Sequence, residues 1–503
     1  MPDSSLSSPS TSSSVTLGSS PDHPLSALVI GAGITGLTLA WRLQQKGLSV
    51  CLTEAGSQVG GSIITQSRQG YIWEEGPNSF TPAPALLNLV ADLGLAQDLV
   101  WADGKLPRYV WWDGQLLPIP LNPPAVVGST LLSIGGKLRA LRGLLGFVGY
   151  PPGPEESVRQ FFGRQLGSEV VERLVIPFVS GVYAGDADQL SARAAFARFA
   201  DLEERYGSLF AGLWQAPRVP KPPLSPQINP APQRGQLGSL RQGLQQLPQA
   251  LADQLGSSLR MEWRAQTLAP TATGYAVTFD TPSGSQTIYA RSVALGIPAY
   301  AAAGVLATYR PDAAEILQGI PYSPVAVVTL AYPADALPRL EGFGHLIPRS
   351  QGLRTLGTIW ASSLFLGRAP EGYCCLLNFI GGATDARFAR EHGVTPIVEM
   401  TTEQRVKAVH HDLSRILLKR PVDPFVLGDR IWQQAIPQYT IGHRQRIQTL
   451  QTLLSGDPGV RLCSNYTDGV SLGDCVKRAE QEAERLSQYL SQPISSTSFV
   501  DER

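Results

Sequence analysis

A mixed α/β fold, α+β overall, is predicted by three features of the sequence. Residues 27–54, ALVIGAGITGLTLAWRLQQKGLSVCLTE, read as strand, glycine turn, helix and strand. Strand-like alternation follows at 259–295, with apolar runs fit for buried strands at 324–332 and 373–380. From about Asn122 to Phe162 the chain is Leu-rich, mildly basic and punctuated by Gly and Pro, and its 121–150 part carries Lys137, Arg139 and Arg142 and no acid. The first feature belongs to a Rossmann-like nucleotide-binding domain, the second to further sheet, the third to short amphipathic helices.

At 503 residues the chain exceeds one compact core, so two or three domains are expected. Charged residues make up 16% and the formal charge is zero, which removes the basic footprint of a nucleic-acid binder. Five cysteines without a C-x-x-C give no disulfide framework or zinc site, and the six histidines show no metal spacing. No metal is expected, and the setting is a reducing one. No run of 18 apolar residues exists, so no spanning helix is expected.

Residues 1–25 hold ten serines and no Lys or Arg, which fits a disordered tail better than a signal or transit peptide. Order starts at Ala27. The apolar residues Ala27 to Ile30 form a short strand, residues after Gly36 recur at helical spacing, and Gly47 closes that helix. Residues 48–53 make the next strand. Seven prolines between Ala216 and Gly235 leave no regular element there. Helical patterning is expected again at Ser239–Gln254, 402–419 and 474–490.

Gly31-Ala32-Gly33-Ile34-Thr35-Gly36 stands between strand and helix, the context a dinucleotide fingerprint needs. Gly31 allows the tight turn, Gly33 lets a pyrophosphate approach the backbone, and Gly36 lets the helix pack on the sheet. The helix N-terminus offers free N–H groups to phosphate. Glu54, 18 residues past Gly36, would accept hydrogen bonds from an adenosine ribose and repel a 2′-phosphate. After Glu54 the chain stays glycine-rich through Gly60-Gly61-Ser62, as it must along an extended cofactor. Asn465-Tyr-Thr-Asp-Gly469-Val470-Ser471 then precedes the last helical pattern. Together these favour FAD over NAD, although residues 463–474 alone also read as a plain loop.

Six segments carry a family resemblance: WEEGPNSF (73–80), PRYVWWDGQL (107–116), SGVYAGDADQLSARAAF (180–196), EGFGHLIPRSQGLRTLGTIWASSLF (341–365), LLNFIGGATD (376–385) and AIPQYTIGH (435–443). From about Ala27 to Leu490 the chain resembles the flavin-dependent protoporphyrinogen oxidases of the plant and cyanobacterial type. Two positions depart from the pattern: Ser62 stands where relatives have Arg or Asn, and Cys463-Ser464 where they have glycines.

The resemblance implies an FAD-binding domain built from 26–105, 236–300 and 446–503. It implies a helical membrane- and substrate-associated domain at 106–215, a Pro-rich loop at 216–235 and a mixed-sheet substrate domain at 301–445. Cofactor contacts are then expected at Gly31 to Gly36, Glu54, Ala55, Gly61, Ser62, Gly76, Pro77, Asn78, Ser79, Ala265, Asn465, Gly469, Val470 and Ser471. Substrate contacts are expected at Arg108, Gly181, Ala184, Gly185, Leu346, Ile359 and Phe379. Arg108 would hold a propionate through two parallel hydrogen bonds, and Phe379 would stack on a pyrrole ring.

The implied reaction removes six electrons from protoporphyrinogen IX in three flavin cycles, each closed by dioxygen. It needs no side-chain acid or base, and none is identified. The other readings are coproporphyrinogen III oxidation, an amine oxidase or carotenoid desaturase reaction, and a flavin-binding protein without turnover. Expected partners are the tetrapyrrole, dioxygen and a lipid surface touched peripherally through 121–150, although the same stretch also reads as a helix packed within its own domain. A chelatase that takes the product and a second copy of the chain complete the set. The expected location is cytoplasmic with peripheral membrane association, or plastid-like in a eukaryote, although residues 1–25 make no convincing transit peptide.

Overall fold

A computed structural model describes residues 18–120, 123–148, 153, 155–215 and 222–492. Part of the expected tail (1–17), part of the Pro-rich loop (216–221) and the ends of the 121–150 stretch lie outside the described residues. Two seven-stranded sheets organise the chain.

The first sheet is centred on β1 (Leu25–Ile30), which pairs in parallel with β2 (Val50–Thr53) on one side and with Gly284–Leu295 on the other. Leu259–Arg260 extends it beyond β2, and Val460–Leu462 joins Gly284–Leu295 in parallel. Arg264–Thr271 and Gly274–Thr281 add an antiparallel meander. Alternation along β1 shows why it is central. Ala27 and Val29 enter one hydrophobic core with α1 (Ile34–Gln45) and the terminal helix Leu472–Leu490. Leu28 and Ile30 enter the other core, with the helices Ala299–Leu306, Pro311–Gln318 and His443–Leu453. Helices thus cover both faces, as a parallel sheet requires.

The second sheet runs Phe425–Pro437, Tyr322–Pro333, Tyr373–Gly381, Thr355–Trp360, Gly344–Leu346, Arg108–Trp112, Gln115–Pro118. Its neighbours are antiparallel except for Gly344–Leu346 beside Arg108–Trp112. The helix Thr402–Ile416, opened by a Thr401/Gln404 capping box, seals one face through Val409 and Leu413. On the other face Tyr71 and Trp73 pack against Leu377 and Leu427, with Ile359 and Phe379 half-buried at the margin of that cluster.

Most of the described residues between Pro123 and Gln215 lie in short helices. Val158, Phe161 and Phe162 form their core, and the buried Arg164 lies between Glu156 and Glu203 at 2.5 Å from each. Among the described residues no helix is long and apolar enough to cross a membrane.

Two local expectations are corrected. Ordered structure does not begin at Ala27. The strand starts at Leu25, and Gly18 already receives the Tyr289 N–H while closing a turn on His23. The helix expected over Ser239–Gln254 starts only at Gln246. Leu237–Leu240 is instead a strand paired with Leu99–Ala102, and Gly243 at φ +100° separates the two elements.

Candidate active site

The three glycines of the first turn are needed for three different reasons. Gly31 has φ +100°, and a Cβ there would stand 2.6 Å from Ile297. At Gly36 a Cβ would stand 2.0 Å from the Gly31 carbonyl oxygen, so strand and helix could not close. Around Gly33 a Cβ would meet nothing within 4 Å. That open side faces the first turn of α1, where N–H groups lack helical partners. A diphosphate would fill it.

Glu54, at the end of β2, accepts from the Ala32 N–H and the Gly56 N–H, both at 2.8 Å. Its carboxylate is thereby held at the mouth of the turn, with Ala55 exposed beside it. Gly60 bridges to Gly33, and Gly61 (φ +60°) lies against it. Ser62 is exposed, and its carbonyl packs on Gly76, where a Cβ would stand 1.9 Å away. The Ser62 side chain therefore does not crowd the turn. Pro77 and Ser79 are half-buried beside Asn78, whose buried Nδ2 has no partner among the described residues. An orphaned donor two residues past a glycine contact fits a ligand acceptor.

The late segment approaches from the terminal helix. Ser471 is its N-cap, accepting from the Asp474 N–H at 3.2 Å, and Gly469 (φ +148°) leaves no room for a Cβ against Asp474. Val470 is half-buried. The Asn465 carbonyl accepts from Tyr439 O–H. This helix packs on α1, and the Thr35 hydroxyl bonds the Cys475 thiol, so the two N-termini meet. Cys463 is wholly buried in the core, and that burial pushes its thiol well up. It therefore does not project into the site. Ala265 lies on an edge strand in one cluster with Trp263 and Ile297; the Trp263 N–H donates to the Glu54 carbonyl at 2.7 Å, and Ile297 stands against Gly31, which keeps Ala265 on the cofactor side of the turn.

Strand register gathers the expected substrate residues. Arg108 pairs with Gly344, Gly344 with Ile359, and Ile359 with Leu377. One step along, Val110 pairs with Leu346, Leu346 with Gly357, and Gly357 with Phe379. Residues two apart share a face, so Arg108, Leu346, Ile359 and Phe379 stand on the same side. That side is opposite the Thr402–Ile416 helix. The run from Ser168 to Tyr183, with two π-helical stretches, crosses it. A Cβ at Gly181 would stand 2.3 Å from Leu346. Ala184, left-handed at φ +47°, shares a cluster with Val325, Leu356 and Phe379. Gly185 has no room for a Cβ between Leu190 and Gln438.

The half-buried Arg108 guanidinium stands over the Phe343 ring, 5.3 Å from its centre, and forms no ion pair with a described residue. Burial lowers its proton affinity from the ordinary arginine value. Two other cations of this face are already matched: Arg430 by Glu75 at 2.9 Å and Arg173 by Glu169 at 2.8 Å. The Arg430–Glu75 pair, with Trp432 Nε1 donating to the Glu75 carbonyl, joins this sheet to the Gly76–Ser79 segment. Sequence reasoning missed Phe343, Glu75, Arg430, Trp432 and Tyr439. Phe343, Glu75 and Tyr439 sit inside the quoted segments, but nothing in their spacing marks a role.

Similarity to known proteins agrees with this arrangement. The family of flavin containing amine oxidoreductases matches residues 34–487. A chloroplastic protoporphyrinogen oxidase of Oryza sativa subsp. japonica is 44% identical over 482 residues, covering 92% of this chain and 88% of the relative. A coproporphyrinogen III oxidase of Bacillus subtilis is 30% identical, covering 92% of this chain and 98% of the relative. Among solved structures, a provisionally named protoporphyrinogen oxidase from Exiguobacterium sp. aligns with a TM-score of 0.74 at 26% identity, over 92% of this chain and 99% of that one. The chain belongs to the flavin-containing amine oxidoreductase family and, within it, stands among the protoporphyrinogen oxidases.

Proposed function

We propose that the chain oxidises protoporphyrinogen IX to protoporphyrin IX with FAD, using dioxygen as acceptor. The observation that carries the substrate reading is Arg108: one half-buried cation without an acidic partner, beside the apolar residues Leu346, Ile359 and Phe379. A largely apolar tetrapyrrole with few carboxylates matches a face of that kind. Coproporphyrinogen, with four propionates, would call for more unmatched cations, whereas Arg430 and Arg173 are paired.

FAD is supported by the open side of Gly33, the Glu54 carboxylate and the unpartnered Asn78 Nδ2. When bound, the flavin supplies the hydride-accepting chemistry. The chain's residues do the rest. Arg108 holds a propionate, Phe379 and Leu346 bound the ring, and the glycines bring backbone close to both ligands. Cys463, buried in the core, leaves the flavin non-covalent.

The helix Ile134–Leu144 supports peripheral attachment to an anionic lipid surface. Ile134, Leu138, Leu141, Leu145 and Phe147 are exposed, and Arg142 stands free among them. Leu131 and Leu132 are buried and Leu144 packs inward, while Arg139 donates to the Arg164 and Gln165 carbonyls. The lipid face is thus narrower than the composition implied.

Purified protein should be yellow, and anaerobic protoporphyrinogen should bleach it as porphyrin fluorescence rises. Coproporphyrinogen should do so more slowly at equal concentration. A faster reaction with coproporphyrinogen would reverse the substrate assignment, and colour retained by denatured precipitate would contradict non-covalent binding.

A further inference from the structure

The strand Phe425–Pro437 forms one edge of the second sheet, and the chain leaves it as Gln438-Tyr439-Thr440. Side chains from this one stretch reach both of the expected cofactor loops. Along the strand, Arg430 meets Glu75 at 2.9 Å and Trp432 Nε1 donates to the Glu75 carbonyl at 2.7 Å, one residue before Gly76. Just past its end the Tyr439 hydroxyl donates to the Asn465 carbonyl, with the Gly469 N–H beside the same oxygen. His443 Nε2 donates to the next carbonyl, that of Tyr466, at 2.9 Å.

The strand is also in register with the substrate residues. Arg430 pairs with Val327 and Val327 with Phe379, and the same rung continues through Gly357 to Leu346. Neighbouring strands lie about 4.8 Å apart, so the Arg430 and Phe379 backbones are about 10 Å apart on one rung. Residues on one rung share a face, which puts Arg430, Phe379 and Leu346 on the same side.

Tyr439 and His443 act as a unit. Both are buried, and their rings stack with centres 4.3 Å apart and planes within 12° of parallel. Burial pushes His443 down to about 4, so the ring is neutral near pH 7. A carbonyl only accepts, so the one N–H of that neutral ring sits on Nε2 and is committed to Tyr466. Two successive carbonyls are thereby gripped immediately before Gly469, Val470 and Ser471. Tyr466 is itself wholly buried in the core of the first sheet, so the loop is fixed from both sides.

We propose that Arg430, Trp432, Tyr439 and His443 are positioning residues that set the place of the flavin relative to the substrate face. They act through the loops 75–79 and 465–471, and the inference rests on the cofactor and tetrapyrrole lying as proposed above. A transfer between two bound partners is sensitive to their separation, and a misplacement of about 1 Å can cost a hundredfold in rate.

The experiment starts from flavin-free Tyr439→Phe, His443→Leu and His443→Gln, each titrated with FAD by quenching of flavin fluorescence. Stopped-flow bleaching by anaerobic protoporphyrinogen follows at saturating FAD, with porphyrinogen affinity taken from its concentration dependence. Tyr439→Phe deletes one oxygen and keeps the stack, so it stays informative should a histidine variant fold poorly. In Tyr439→Phe and His443→Leu the FAD dissociation constant is expected to rise about tenfold, as loss of one buried hydrogen bond allows. Bleaching should slow by about tenfold as well, with porphyrinogen affinity unchanged. His443→Gln, whose amide N–H can serve the same carbonyl, should recover most of both losses. Unchanged FAD affinity and unchanged bleaching would overturn the proposal. So would weaker FAD binding with a normal rate at saturation, a loss confined to porphyrinogen affinity, or a loss that His443→Gln does not reverse. Wild-type protein that takes up no FAD, or takes it up without bleaching, would instead overturn the function proposed above.

Discussion

The Arg108 guanidinium rests 5.3 Å from the centre of the Phe343 ring, and the backbones on either side tie the two together: the Phe343 N–H donates to the Pro107 carbonyl at 2.9 Å. The ring holds the cation in place without neutralising it, which leaves its N–H groups for a ligand carboxylate.

Arg108→Ala should therefore raise the porphyrinogen dissociation constant. A charge-assisted bidentate contact is worth about 1.5–3 kcal/mol, or roughly ten- to a hundredfold. Phe343→Leu should cost less, about 0.5–2 kcal/mol, because only the cation–π support is lost. Titration of flavin bleaching against porphyrinogen concentration measures both. Unchanged affinity in Arg108→Ala would remove that residue from the site.

Gly33 and Gly36 should respond in opposite ways to enlargement. Gly33 has φ −71° with open space around it, so Gly33→Val should fold with a thermal midpoint near that of flavin-free wild type. It should purify colourless, since the side chain fills the phosphate side of the turn. Gly36→Ala drives a methyl to 2.0 Å from the Gly31 carbonyl and should lower the midpoint itself. Absorbance at the flavin band together with differential scanning fluorimetry separates the two outcomes.

Stability should fall as pH rises through the range set by Glu74. Burial pushes this carboxyl up to about 7, against the donors Thr65 and Leu244 and the Arg368 guanidinium 3.9 Å away. Burial also lowers Arg368, so desolvation outweighs the ion pair on both partners. Between the unfolded value of 4.5 and about 7, the folded chain holds a proton that the unfolded chain does not. This contribution is complete below the unfolded value and is lost by about pH 7, a change of about 3 kcal/mol. Glu74→Gln should flatten that slope. Thermal midpoints of both proteins at pH 5, 6 and 8 check it, and parallel slopes would assign the pH dependence to other groups.

Liposomes should distinguish the exposed leucines from the buried ones. Leu138→Glu with Leu141→Glu should abolish flotation with anionic vesicles while leaving the fold intact, because both side chains already face solvent. Wild-type protein that fails to float would remove this helix as the anchor.

Much of the nucleotide half was legible in the chain itself. Alternating burial along Ala27 to Ile30, glycines at 31, 33 and 36, and an acid ending β2 are local features, and local chemistry explains each one. The strand Leu237–Leu240 was misread because its partner, Leu99–Ala102, lies far away in sequence. The substrate face depends on such partners throughout. Arg108 meets Gly344 only through a parallel pairing across more than two hundred residues, and Leu346 meets Gly181 only when a π-distorted helix crosses the sheet. Periodicity can assign a residue to a face, but not that face to a neighbour. Propensity and glycine spacing thus determined the cofactor turn. Which cation stayed unpaired and which leucines stayed exposed were decided by long-range packing, because each outcome depends on partners that sequence spacing does not encode.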